Sequence, residues 1–273
     1  MKKSIVIVTL TTVFLLILSL LLFGDRGLIF RNSASEFSLD YYTSSIDKNL
    51  AIITDTIAPH ELREDAFFEY TEIVLELLQG SPDWLKDQQI GEILKTKPLI
   101  ASKKTESGDR VRMISLGSTE EVASNLRLSW LYFQWESAGK INARLLSRAS
   151  SNSMKDFVCI GDTVIFCGSP LSIEPLSPVI SAWRFNGGEL EPAPFNEQMV
   201  MTFFEGSDYN GYVDVNNLVL FDFSGEYAEF KIEDSLGVFS VLEYKNLSDY
   251  PQNNAPPPSV VNITFEDLLG LIN

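Results

Sequence analysis

The chain has 273 residues, and its 37 acidic against 21 basic side chains give a net charge of −16. Hydrophobic residues make up 45% of the chain, 18 of them Phe, which supports a sizeable core and excludes global disorder. The acidity argues against a nucleic-acid partner, because phosphate binding needs a basic face. The single His, His60, excludes a zinc centre built on several imidazoles.

Residues 1–24 predict a transmembrane signal-anchor. Lys2 and Lys3 precede an uncharged, mostly aliphatic run from Ser4 to Phe23, and about 20 helical residues span the roughly 30 Å of a bilayer's hydrocarbon core. The two lysines favour a cytoplasmic N-terminus, so the rest of the chain is expected to be extracytoplasmic. A cleaved signal peptide is the alternative, although its apolar region is usually shorter. In both cases the expected location of the body is outside the cytoplasm.

Residues 25–43 are interpreted as a stem, and residues 44–97 as a helical subdomain. Ile46, Leu50, Ile53 and Ile57 form one apolar stripe, and the segment from His60 to Gly80 shows a second. Ser81-Pro82-Asp83 predicts a third helix running to about Lys95, with Pro at its first position.

Residues 98–250 are expected to form a larger, antiparallel β-rich body. Runs of β-branched and aromatic residues alternate there with turn-forming Gly, Asn, Asp and Ser. Residues 251–273 are interpreted as a Pro-rich arm and a C-terminal tail that docks on the body as a strand or short helix. The predicted fold class is therefore α+β, with a small β-propeller or sandwich as the alternative.

The predicted strands lie between short turns. Their ranges are Arg110–Leu116, Arg127–Trp135, Lys140–Ser147, Phe157–Ile160, Thr163–Cys167, Val179–Phe185, Met199–Glu205, Leu218–Phe223, Tyr227–Ile232 and Val238–Tyr244. Three predicted hairpins share the order aromatic strand, glycine turn, second strand, namely YFQWESAGKINARLL, ISAWRFNGGELEPAPF and LVLFDFSGEYAEFKI. Their spacing is irregular, which favours ordinary meandering β-structure over repeated blades.

Cys159 and Cys167 are the only cysteines, and an exported domain permits a disulfide between them. If Gly161-Asp162 forms a two-residue turn, however, Cys159 lies opposite Val164 and Cys167 opposite Asp156, so the pair is out of register. A disulfide and buried free thiols both remain open from the sequence.

Asp208, Asn210 and Asp214 are the candidate metal ligands. They lie around Gly211 in an Asx-rich segment whose oxygen atoms suit calcium. The segment resembles the Asp-rich calcium loops of integrin-like propeller blades, over these residues alone, and is shorter than those loops. An Asx-rich turn without a metal is the simpler interpretation.

No nucleophile elbow, phosphate-binding loop, zinc-protease motif or dinucleotide fingerprint occurs in the sequence. We therefore expect no enzymatic activity, and interpret the chain as a membrane-anchored binding or interaction module of the cell envelope, with a protein or small ligand as partner. A purely structural envelope subunit is a further possibility. The alternative is an exported hydrolase using carboxylates, for which an apolar-walled cleft with two convergent Asp or Glu side chains would be the structural sign.

Overall fold

A computed structural model describes residues 37–117, 129–150, 152–170, 177–186, 188–207, 209–222, 227–244 and 257–273. The predicted membrane span, residues 1–24, lies outside these ranges. Among the helices that are described, none combines the length and the apolar character needed to cross a bilayer. The chain from Ser38 to Asn273 forms one compact unit.

Three helices open the described chain: α1 (Leu39–Ile53), α2 (His60–Gly80) and α3 (Asp87–Leu94). The hydroxyl of Ser38 caps α1 by accepting the backbone N–H of Tyr41. Pro59 precedes α2, where its fixed φ and missing N–H are tolerated. The predicted apolar stripes are buried at Ile46, Ile53 and seven apolar residues of α2, whereas Leu50 is half-buried and Ile57, beyond the end of α1, is 91% exposed.

The remaining elements in the described residues are thirteen strands, two short α-helices and one 3₁₀ turn at Asp234–Leu236. In chain order the strands and α-helices are β1 (Leu99–Lys104), β2 (Arg110–Gly117), β3 (Ser129–Ser137), β4 (Lys140–Ser150), β5 (Asn152–Ile160), β6 (Thr163–Pro170), β7 (Val179–Asn186), β8 (Glu189–Pro192), α4 (Glu197–Phe204), β9 (Tyr209–Asp214), β10 (Asn217–Asp222), β11 (Tyr227–Glu233), β12 (Val238–Tyr244), β13 (Ser259–Thr264) and α5 (Phe265–Gly270). The fold is therefore α+β with a β-rich body.

All strand pairs in the described chain are antiparallel, and they form three sheets. Sheet 1 has the order β1-β2-β3-β4, sheet 2 the order β5-β6-β7-β10-β9 with β8 beside β7, and sheet 3 the order β11-β12-β13. Most strands pair with the next strand along the chain, because a short turn connects two antiparallel strands without a crossover.

The helices cover the outer face of sheet 1. Tyr132 donates its hydroxyl hydrogen to the carbonyl of Thr71, and Gln134 donates to the carbonyl of Leu78. The rings of Phe67 and Trp130 lie 4.5 Å apart. These buried contacts join α2 to β3, so the helices and sheet 1 pack as adjacent layers.

The inner face of sheet 1 packs on sheet 2 through an aromatic core. The ring of Phe133 on β3 lies 5.4 Å from the rings of both Phe157 on β5 and Phe166 on β6. The opposite face of sheet 2 contributes Ile165, Cys167, Ile180, Leu218 and Leu220 to a second core shared with sheet 3, α4 and α5. The central strands β6, β7 and β10 of sheet 2 are thus largely buried on both faces and read as apolar runs, whereas the edge strand β9 has one exposed face.

Two sequence predictions about elements are wrong, and the propeller alternative is not found in the described sheets. Met199–Glu205 was predicted as a strand because its residues favour β-structure, but Asn196 caps a helix there and Val200 and Phe204 fill the core one turn apart. The third hairpin does not form, since β10 pairs with β7 and β9 while β11 pairs with β12.

The predicted third helix begins later than Ser81. Residues 81–86 are not helical, and α3 starts at Asp87. The buried guanidinium of Arg112 explains this, because it donates to the carbonyl of Leu85 and lies 4.4 Å from the ring of Trp84. Tertiary contacts therefore override the local helix-start signal.

Candidate functional site

Four hairpin turns meet at one end of the two packed sheets. Sheet 1 contributes the turns after β1 and β3, and sheet 2 contributes those after β5 and β7. Because each hairpin runs up one strand and down the next, consecutive hairpins place their turns at the same end. A cleft of about 500 Å³ opens between them, within the size range of small-molecule sites.

The floor of this cleft is the exposed end of the aromatic core. It consists of Val111, Trp135 and Phe185, and the rings of Trp135 and Phe185 meet edge to face at 5.7 Å. The side chain of Trp135 is 7% exposed, and its indole N–H has no hydrogen-bond partner among the described residues. The floor thus offers a small apolar surface, at the exposed edges of rings that core packing holds in place.

The rim of the cleft is acidic. Glu106, Asp109, Glu136 and Asp162 line it together with the hydroxyl residues Thr105, Ser107 and Ser137, and no Lys or Arg belongs to the lining. The backbone N–H of Phe185 donates to the carbonyl of Asp162 at 2.8 Å, which holds the β5–β6 turn against the floor.

Two of the four carboxylates have arginine partners. Arg110 donates from Nε to Oε2 of Glu136 at 2.7 Å, and this hydrogen bond lowers the pKa of Glu136. Nε of Arg184 lies 3.8 Å from Oδ2 of Asp162. Both pairs are at the surface, so we expect each to contribute little to stability.

Glu106 and Asp109 form no ion pair with any other described residue. Asp109 accepts a hydrogen bond from the hydroxyl of Ser107 at 2.8 Å, and that hydroxyl also contacts the hydroxyl of Thr105. This short network orients the carboxylate without neutralising it. The cleft therefore presents uncompensated negative charge above an aromatic floor, an arrangement suited to a cationic group with an apolar body.

Sequence reasoning did not single out these four carboxylates. Among 37 acidic side chains their position in the chain carries no signal, because what brings them together is the shared end of four hairpins. Three of the turns, at residues 137–139, 161–162 and 186–188, were predicted from the sequence. Their common orientation was the sequence signal that could have indicated the cleft. The aromatic side chains of Trp130, Tyr132 and Trp135 on β3 are all buried.

The two predicted calcium ligands that the structure describes, Asn210 and Asp214, do not line this cleft. Asp208 is outside the described residues, whereas Asn210 and Asp214 lie on β9, exposed on one face of the strand. Four residues of extended strand separate their Cα atoms by roughly 13 Å, and one calcium ion bound by both would require the strand to bend. In the described part of the chain no three acidic, His or Cys side chains cluster as metal ligands. Calcium binding here stays a prediction.

Cys159 and Cys167 have the register that the Gly161-Asp162 turn predicts. Cys159 pairs with Val164 and Cys167 with Asp156, and the side chains contact different cores, Cys159 between sheets 1 and 2 and Cys167 beside sheet 3. Both thiols are free. Burial raises the pKa of each thiol to about 12, so neither has the thiolate character of a nucleophile.

Comparison with known proteins gives no relative for this chain: no family model, curated protein or solved structure matches it. The geometry of the cleft is therefore the basis on which a function is proposed below.

Proposed function

We propose that this chain is a membrane-anchored, extracytoplasmic binding protein whose body takes a cationic ligand in the cleft at the hairpin end. The anchor is the apolar run from Ser4 to Phe23, preceded by two lysines. The cleft is the observation that carries the binding role, because it joins an aromatic floor to a rim with four carboxylates.

The proposed ligand class follows from the charges of the lining. An organic cation, such as a polyamine or a Lys or Arg side chain of a peptide, would place its charge near Glu106 and Asp109. Its methylene groups would cover Trp135 and Phe185. An anionic ligand would meet the four carboxylates without a lining cation to offset them.

A carboxylate-dependent hydrolase is the competing function, because the cleft brings several carboxylates to an apolar floor. A glycosidase-type general acid needs a carboxyl group desolvated by apolar surroundings. Glu106, Asp109 and Asp162 are exposed, and Glu136 is ionised by its bond from Arg110. These features favour binding over hydrolysis. Turnover of a glycoside or ester that is lost in Asp109→Asn would reverse this preference.

Fluorescence titration of the full chain in neutral lipid nanodiscs tests the ligand class. Spermidine, a flexible trication, should change the fluorescence emission of Trp135. Loss of this change in the variant Trp135→Phe would assign the signal to Trp135. We expect the double variant Glu106→Gln/Asp109→Asn to bind about tenfold more weakly, equivalent to about 1.4 kcal/mol.

The matched control is Glu69→Gln. Glu69 is exposed on α2, so its loss alters net charge without touching the cleft. Equal weakening in Glu69→Gln and in the double variant would mean that spermidine follows overall charge, and would reject the cleft as the binding site.

The membrane location needs a separate test. The full chain should stay with membranes after alkaline carbonate washing, and its body should be digested by protease added to intact spheroplasts. Deleting residues 4–23 should release the chain from the membrane. Recovery of the intact, unprocessed chain in the cytosolic fraction would contradict the proposed location.

A further inference from the structure

A groove of about 500 Å³ lies between α4 and α5, on a surface that the cleft does not include. Met199 and Phe203 form one wall, Leu271 and Gly270 lie on the other side, and the carboxylates of Glu266 and Asp267 stand at its edge. The groove is open and mostly apolar, which is the form of a docking surface rather than of an enclosed ligand site.

The apolar wall arises from the way α4 packs. The side-chain oxygen of Asn196 accepts the backbone N–H of Met199 at 3.1 Å and starts the helix. Val200 and Phe204 then take the core positions, which leaves Met199 48% and Phe203 41% exposed on another face. Two large apolar side chains one helical turn apart are thus held at the surface.

The charge around the groove is negative. Neither α4 (EQMVMTFF) nor α5 (FEDLLG) carries a Lys or Arg, while Glu197, Glu266 and Asp267 are acidic. A second copy of this chain, with its net charge of −16, would bring like charges together, and an anionic lipid surface would be repelled for the same reason.

We propose that this groove docks an amphipathic helical segment of a partner protein, with apolar residues one turn apart and flanking Lys or Arg. The apolar residues would lie between Phe203 and Leu271, and the basic residues would face Glu266 and Asp267. Methionine suits such a surface, because its flexible, polarisable side chain adapts to different apolar partners.

Methyl NMR of the methionines gives a reporter at the groove. The full chain, with ¹³C-methyl methionine and in nanodiscs of neutral lipid, is titrated with a synthetic Leu/Lys amphipathic peptide of about 14 residues, or four helical turns. We expect the Met199 methyl signal to shift. Met113 and Met154 are buried between the sheets and should not move. Met201, 56% exposed on the same helix but outside the groove lining, is the local control.

Gly270→Trp adds a large side chain beside the groove, at a position where no atom lies within 4 Å of the added Cβ. This variant should weaken peptide binding by about tenfold or more. Glu266→Lys, at an exposed position, should weaken it without filling the groove. Gly91→Trp adds the same side chain at an equally open position on α3 and should leave binding unchanged.

The proposal is overturned if Met199 does not shift, if it shifts no more than Met201, or if the peptide binds Glu266→Lys as tightly as the unaltered chain. Peptide taken up by empty nanodiscs is subtracted, and a Leu/Glu peptide of the same length should not shift Met199. Spermidine binding in the cleft is measured on the same variants, so loss of the groove is distinguished from loss of the cleft.

Discussion

Gly168 lies where β6 passes closest to β5. A Cβ at this position would fall 2.1 Å from the carbonyl oxygen of Ser153 and 2.7 Å from the Cα of Met154. The register of β5 shifts between Met154 and Asp156, and this bulge brings the two backbones together. Only glycine fits there without moving the main chain.

Gly168→Ala should therefore destabilise the protein by about 2–4 kcal/mol, because neither backbone can yield without breaking the ladder. Urea unfolding followed by Trp emission measures the change. Gly91→Ala on α3 is the matched control, since its Cβ meets no atom, and it should stabilise the protein by up to about 1 kcal/mol. An unchanged urea midpoint for Gly168→Ala would contradict the close approach.

The thiols predict a decline of stability in alkali. Burial raises the pKa of Cys159 and Cys167 from 9.0 to about 12, so the unfolded chain loses these protons first. The contribution of these two thiols to the free energy of unfolding is complete below about pH 9 and is lost as the pH rises towards 12. Urea midpoints measured from about pH 8 to about pH 9.5, where an ordinary tyrosine with a pKa of about 10 is still mostly protonated, should fall, and the double variant Cys159→Ala/Cys167→Ala should fall less steeply.

Thiol counting addresses the pairing of the two cysteines. Because Cys167 is buried and Cys159 is half-buried, against different faces of sheet 2, Ellman's reagent should react more slowly with the native chain than with the unfolded chain. In urea without reductant it should find two thiols per chain. A native chain that yields none in urea, and a 159–167 linked peptide on mapping, would mean that the hairpin changes register to form a disulfide.

At the scale of elements, Arg112 holds the segment between α2 and α3 against sheet 1. Its side chain is 0% exposed, and it donates to Ser102, Gln134 and the carbonyl of Leu85 while facing Asp87 at 2.9 Å. Desolvation lowers the pKa of the guanidinium to about 10, yet it stays charged at neutral pH. Its partners are polar groups that depend on it for hydrogen bonds.

Arg112→Met should cost about 2–4 kcal/mol, since it keeps the length of the side chain but leaves buried acceptors unpaired. Arg110→Met is the control on the same strand face, because Arg110 also lies over Trp84, at 5.0 Å, but its ion pair with Glu136 is near the surface. That variant should cost less than about 1 kcal/mol. Thermal unfolding of both variants measures the loss of stability. Equal losses in the two variants would contradict the role given to the buried hydrogen bonds of Arg112.

Local patterns predicted most elements but not those shaped by distant contacts. The strands around the turns at Gly139 and Gly161 were predicted because alternation and turn chemistry act over a few residues. The helix α4 was missed because its Met, Val, Thr and Phe residues suit a strand equally well, and only packing of Val200 and Phe204 on sheet 2 decides between them. The residues of β9 were interpreted as a turn between strands for a similar reason. Their strand conformation depends on pairing with β10, which begins after Val215 and Asn216.

At the scale of the molecule, local sequence patterns could not predict the order in which the layers pack. The helices lie on sheet 1, sheet 1 on sheet 2, and sheet 2 on sheet 3 with α4 and α5. The central strands of sheet 2 are largely buried on both sides, which the sequence shows only as apolar runs such as VIFC. The cleft depends on the same stacking, because its acids come from two different sheets, and therefore no single motif could indicate it.

This stacking predicts that the outer layers unfold together with the central sheet. Leu78 on α2 and Leu268 on α5 are fully buried at opposite ends of the stack, and Leu78→Ala and Leu268→Ala should each cost about 2–5 kcal/mol. If the chain from Ser38 onwards is one cooperative unit, both variants should lower the protection of β6 amides against hydrogen exchange by similar factors. Should Leu78→Ala expose only the helices while β6 stays protected, residues 44–97 would be a separately stable subdomain, as the sequence suggested.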